Sequence, residues 1–227
     1  MKYEIHHTVM QCLEVQLVQS ETVFTQSGGM AWMTDGIDMT TSGKGGVMGA
    51  LGRMMAGSSL LLTTYKCVAA SGMVTFVTDA PGKIIPIELA AGQSMIAHRD
   101  TFLVAQDGVS LEATFTKKFG AGMFGGEGFV LQKITGPGIF WGEISGEVQE
   151  YTLAPGQIMK VHAGHIAMFE PTVTYDIQMV KGITNILFAG EGLYLATLRG
   201  PGKVWLQTMP ISSLAAAIKQ FIPTKSS

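Results

Sequence analysis

Residues 126–141 read GEGFVLQKITGPGIFW, and residues 190–205 read GEGLYLATLRGPGKVW. Both hold Gly-Glu-Gly, a strand-length run, Gly-Pro-Gly, two residues and Trp, and they lie sixty-four residues apart. A weaker relative, GSSLLLTTYKCVAASGMVTF, occupies 57–76. A second phrase keeps the same spacing: Leu89-Ala90-Ala91-Gly92-Gln93 returns as Leu153-Ala154-Pro155-Gly156-Gln157. Self-similarity at this period describes small units that cannot bury their own apolar faces and must pack on one another. The runs between turn signals are strand-length and do not alternate with helices, so the units are β. The expected architecture is all-β: one compact domain over 1–227, made of three repeats at about 20–92, 93–156 and 157–209 in a pseudo-threefold arrangement.

Working outward, residues 8–18 have strand composition and 23–39 (VFTQSGGMAWMTDGIDM) a hairpin's, with turns at Ser27-Gly28-Gly29 and Asp35-Gly36. Its counterparts are 95–115 and 159–177. Asp35-Gly36 matches Asp107-Gly108 at a spacing of seventy-two residues, which implies an insertion in the first repeat, inside 43–57. Pro210 stops the last strand. Ile211, Leu214, Ile218 and Phe221 then recur at helical spacing, which predicts a C-terminal helix over 211–222 that docks its apolar face.

Hydrophobic residues make up 47% of the chain and charged residues 14%, and the mean hydropathy is +0.30. Such a chain has little charged surface, which points to buried subunit contacts or membrane contact. The net charge of −2 and the absence of a basic stripe argue against a nucleic-acid partner. Two cysteines, Cys12 and Cys67, fit a reducing compartment. The opening Met1-Lys2-Tyr3-Glu4 does not read as a secretory signal, and the best spanning candidate, 43–62, is interrupted by Lys44, Arg53 and six glycines. A cytoplasmic protein, in contact with a membrane surface at most, is expected.

The candidate functional residues fall in three sets. His98 and His162 are equivalent by the sixty-four-residue offset, and Gln26 matches them by the seventy-two-residue offset. Three such side chains can converge on a pseudo-threefold axis. His165 joins them only if its strand bends, because strand alternation sends positions three apart to opposite faces. Glu127 and Glu191, each between glycines, are candidate ligand or subunit-contact carboxylates, weighed against repeated structural turns. The Gly-rich tracts 43–59 and 117–128 carry Met48, Met54, Met55, Met123 and Phe124, adaptable apolar side chains suited to a subunit boundary or a membrane surface. No phosphate-cradling loop, nucleophile elbow or metal-ligand spacing occurs, so no catalytic residue, metal or cofactor is expected.

The opening Met1-Lys2-Tyr3-Glu4-Ile5, the GGVMGALGRMMAGSSLLLTTY tract, LAPGQ followed by VHAGHIAMF, and the GEG…GPG…W ending resemble the family named for altered inheritance of mitochondria. The resemblance spans nearly the whole chain. It implies a unit similar to the tryptophan RNA-binding attenuation protein, a β-sandwich or double-stranded β-helix-like fold, repeated three times. It implies no enzymatic activity. The expected function is a non-enzymatic, self-associating β-scaffold or interaction protein that forms a homo-oligomer. The alternatives are a small-molecule sensor with its ligand between repeats, or a peripheral membrane-organising protein.

Overall fold

The computed structural model describes residues 1–26, 28–42, 62–117, 129–179, 194–219 and 221–222. The chain begins with β1 (Lys2–His6), β2 (Cys12–Val18), β3 (Thr22–Thr25), β4 (Met30–Met33), β5 (Ile37–Ser42), β6 (Leu62–Cys67), β7 (Ser71–Val77) and β8 (Gly82–Leu89). Next come β9 (Ser94–His98), β10 (Phe102–Gln106), β11 (Ser110–Lys117), β12 (Phe129–Thr135), β13 (Gly138–Ser145) and β14 (Val148–Leu153). The chain continues through β15 (Ile158–His162), β16 (Ile166–Phe169), β17 (Thr174–Met179), β18 (Tyr194–Arg199) and β19 (Gly202–Gln207) to one helix, α1 (Ile211–Lys219).

The strands form four antiparallel sheets. Their orders are β1-β2-β7-β4, β5-β6-β3-β10-β13-β8, β11-β12-β9-β16-β19-β14 and β15-β18-β17. Adding six to every strand number of the first six-stranded sheet produces the second. The same shift relates β2-β7-β4 to β8-β13-β10, and β9-β12-β11 to β15-β18-β17. The irregularities recur as well. A bulge interrupts the pairing between Met30 and Trp32, between Phe102 and Val104, and between Ile166 and Met168, at corresponding points of β4, β10 and β16.

Alternation of side chains along each strand puts the apolar set inside. In β2, Leu13, Val15 and Leu17 are buried while Gln16 and Val18 are exposed. Three clusters result. The first joins the four-stranded sheet to its neighbour through Leu13, Val15, Phe76, Val23, Tyr65 and Trp141. The second joins the six-stranded sheets through Phe24, Phe140, Met95, Ala97 and Trp205. The third joins the last two sheets through Leu131, Val204, Val161, Ala196 and Leu198.

The two repeated phrases interlock. Gly136 N–H donates to Gln93 O and Gly200 N–H to Gln157 O, both at 3.0 Å. Gln93 and Gln157 also close their own turns, each accepting through Oε1 from the N–H of Ala90 or Ala154. A Cβ at Gly136 or Gly200 would strike the carbonyl of Leu89 or Ala154. The Gly-Pro-Gly phrase recurs because each turn must lie flat on the neighbouring one.

Two expectations need correction. The N-terminal strand begins at Cys12 rather than at residue 8, and β1 precedes it, pairing antiparallel with β2. His7, at a φ of 68°, ends β1 and turns the chain, a left-handed backbone that composition does not reveal. The C-terminal helix spans Ile211–Lys219 rather than 211–222, and its apolar face is only partly covered: Leu214 is half-buried while Ile218 is 50% exposed. Nine residues make a helix too short to be stable by itself.

Candidate functional site

Two strand pairings join distant parts of the chain. β3 pairs with β10, placing Phe24 opposite Ala105, and β9 pairs with β16, placing Ile96 opposite Phe169. The strands six places from these in the shifted order, β15 and β4, are both edge strands of their sheets among the described residues. Burial follows the pairing. All residues of β16 and the first four of β10 are buried, whereas in β4 Trp32 is 53% and Met33 37% exposed. In β15, Ile158 is 47% exposed and Lys160 is exposed. Lys160 stands sixty-four residues after Ile96, so a charged side chain occupies a position that elsewhere packs apolar.

A cleft of about 680 Å³ runs along this open edge. Four consecutive residues of β15 line it: Met159, Lys160, Val161 and His162. Neighbouring side chains of a strand point to opposite faces. A hollow that meets all four therefore follows the edge of the strand rather than one face. Gln149 and Tyr151 of β14, Leu206 and Gln207 of β19, and His165 complete the wall.

The chain bends where the sequence required it to. A 3-10 turn at Ala163–His165 follows β15 and brings the His162 and His165 rings to 5.7 Å between centroids. His165 Nδ1 lies 2.8 Å from Gln207 O. A carbonyl only accepts, so Nδ1 is the donor of this hydrogen bond. Burial, and secondarily the neighbouring His165, holds the His162 pKa below the usual imidazole range. Lys160 is the lysine of the cleft, and burial disfavours a charged His162 beside it. Among the described residues no carboxylate lines the cleft. Among the described residues no three His, Cys, Asp or Glu side chains are grouped to hold a metal.

His98 and Gln26 are placed elsewhere. His98 is buried at the end of β9, where its Nδ1 accepts from Asp100 N–H at 3.3 Å and caps the turn at Arg99–Thr101. Its ring lies 4.9 Å from Phe129. Gln26 is buried, and its Nε2 donates to Gln132 Oε1 at 2.6 Å. Both therefore have local structural work, and neither lines the cleft. Glu127, Glu191, Met48, Met54, Met55, Met123 and Phe124 lie outside the described residues.

One functional-looking group was missed. Glu143 accepts the Asp79 N–H at 3.0 Å, and burial pushes its carboxyl up to about 8, with Asp79 and Asp100 adding repulsion. The residue sixty-four positions on is Gln207, which accepts from Ser145 N–H at 3.2 Å and donates to Gly164 O at 2.9 Å. The signal was available: corresponding positions that differ in charge, Glu143 against Gln207 and Lys160 against Ile96, mark where the units diverge.

Among the described residues no helix is long and apolar enough to cross a membrane. The chain is 27% identical over 221 residues to an uncharacterised protein of Streptococcus pyogenes, covering 94% of this chain and 88% of that protein. A Streptococcus pyogenes protein solved by X-ray crystallography shares the fold at a TM-score of 0.76 and 22% identity, over 97% of this chain and 99% of that one. Residues 3–209 match the family described as Mitochondrial biogenesis AIM24. On a match across nearly its whole length, the chain belongs to the mitochondrial biogenesis AIM24 family.

Proposed function

We propose that this protein is a non-enzymatic β-scaffold, built of three repeated units, that associates with copies of itself. The observation that carries the reading is the pair of open strand edges, with Trp32, Met33 and Ile158 exposed beside them. Exposed edges that carry large apolar side chains are templates for pairing with another chain. The cleft offers imidazoles, amides, hydroxyls and a lysine, groups that can hold a bound segment or ligand. Light scattering on a size-exclusion column tests the reading: a mass above one chain is expected, and a strict monomer at every concentration refutes it.

A second reading, a small-molecule binder, draws on the same cleft, whose volume suits a small ligand. The Gly-Pro-Gly turns do not favour this reading, because they are packed against the Leu89 and Leu153 turns. Native mass spectrometry separates the two readings. A stoichiometric extra mass on a single chain supports the binder, and a bare oligomer supports the scaffold.

A further inference from the structure

We propose that the cleft along β15 is a strand acceptor, and that its occupant is β4 (Met30–Met33) of a second copy of this chain. This rests on the self-association reading and gives it a geometry. The chain shows what the missing contact looks like, because it makes the same junction twice internally, β3 with β10 and β9 with β16. In each case the receiving strand and the inserted strand become buried. β15 is the third receiving strand and β4 the third inserted strand, and among the described residues both end a sheet without that partner.

The register follows from the bulges. Ala105 lies opposite Phe140, Phe169 opposite Val204 and Met33 opposite Val74, so these three correspond. Ala105 faces Phe24 and Phe169 faces Ile96 across the made junctions. The residue that continues Phe24 and Ile96 is Lys160. In the third junction Met33 therefore lies opposite Lys160, and Trp32 opposite Val161. The Lys160 stem covers Met33 while its ammonium stays in water, and the cleft takes the exposed Trp32 indole out of water.

A second copy is favoured over the chain's own β4 because both strands are held. β4 is paired along β7 and fixed at its ends by Val77 N–H to Gly29 O at 2.7 Å and Thr34 N–H to Met73 O at 2.9 Å. β15 is paired along all five residues with β18. Closing the gap inside one chain requires two packed sheets to shift together, whereas a second copy needs only to dock. Each copy carries one inserting and one receiving edge, so reciprocal exchange closes a twofold dimer.

The test is disulfide trapping. Facing residues of antiparallel strands have Cα atoms about 4.5–5.5 Å apart, within the roughly 4.4–6.8 Å a disulfide spans. Met33→Cys and Lys160→Cys alter side chains at the open edges, and the native Cys12 and Cys67 are buried. The two single variants, distinguished by a tag, are mixed and oxidised, and their masses are read by light scattering. A disulfide-linked heterodimer that forms only when both are present is the expected result. An oligomer by light scattering with no such link overturns the strand geometry and leaves self-association standing. A monomer with no link overturns both. A chain carrying both substitutions that links only to itself also overturns the proposal, by showing that β4 and β15 meet within one molecule. Trp32→Asp is the second arm: a loss of dimer of tenfold or more in dissociation constant is expected, with the melting temperature of the monomer unchanged.

Discussion

Replacing Glu143 by Gln is expected to stabilise this protein, and to do so only as the pH rises. In the fold the carboxyl titrates at about 8 rather than 4.5, chiefly because burial disfavours its charge. Asp79 and Asp100 are the charged groups that face it, and both oppose ionisation. At about 1.36 kcal/mol per pH unit, ionising Glu143 in the fold costs roughly 5 kcal/mol more than in the unfolded chain. The sign follows from linkage. The folded state holds the proton more tightly, so its advantage is complete below pH 4.5 and is lost as the pH climbs to about 8. At pH 7 the loss is about 3 kcal/mol on this arithmetic, and about half of that is expected, because the side chain is only partly buried and water relaxes around it. Gln keeps the acceptor for Asp79 N–H and supplies permanently the donor that the neutral acid carries, as Gln207 does toward Gly164 O. The assay is urea unfolding followed by tryptophan fluorescence from about pH 5 to 9. The difference between variant and wild type is expected to start near zero, grow with pH and level off. Parallel curves, or a variant less stable at every pH, refute the argument that a neutral carboxyl occupies this position.

Trp141→Ala empties a fully buried site against the Tyr3 ring, 5.2 Å away, and is expected to cost about 3–5 kcal/mol by the same unfolding assay. Gln26→Leu leaves the buried Gln132 Oε1 without its donor; a loss of about 1–3 kcal/mol is expected, and Gln132→Leu in the same chain should return part of it in a double-mutant cycle. Gly138→Ala forces a side chain into a φ of 135° and against Val109 and Gln106, for an expected cost of about 1–3 kcal/mol. His162 is expected by NMR titration to protonate below the ordinary histidine range, and His165→Gln should move it only part of the way back, since burial is the larger cause. Because the folded-state pKa is depressed, the contribution of His162 is present at higher pH and lost as the pH falls through that value.

The sequence by itself determined the local units. Turn residues, strand alternation and the phrases sixty-four residues apart are short-range features, and β12 lies in the strand-length run between Gly-Glu-Gly and Gly-Pro-Gly. The Gly-Pro-Gly turns were legible for the same reason, since a backbone that tolerates no Cβ must be glycine wherever it recurs. His98, His162 and Gln26 share a spacing, yet His98 caps its own turn, Gln26 reaches Gln132 and His162 shares a cleft with His165. Spacing cannot foresee that a three-residue turn reverses the alternation of a strand. Tertiary structure alone decided which strands of neighbouring units pair, and so left β4 and β15 at open edges. It also decided that Glu143 is half-buried near two other acids, while Gln207 stands sixty-four residues on without charge. Pairing and desolvation depend on residues brought together from distant parts of the chain, whereas periodicity records only what each segment does for itself.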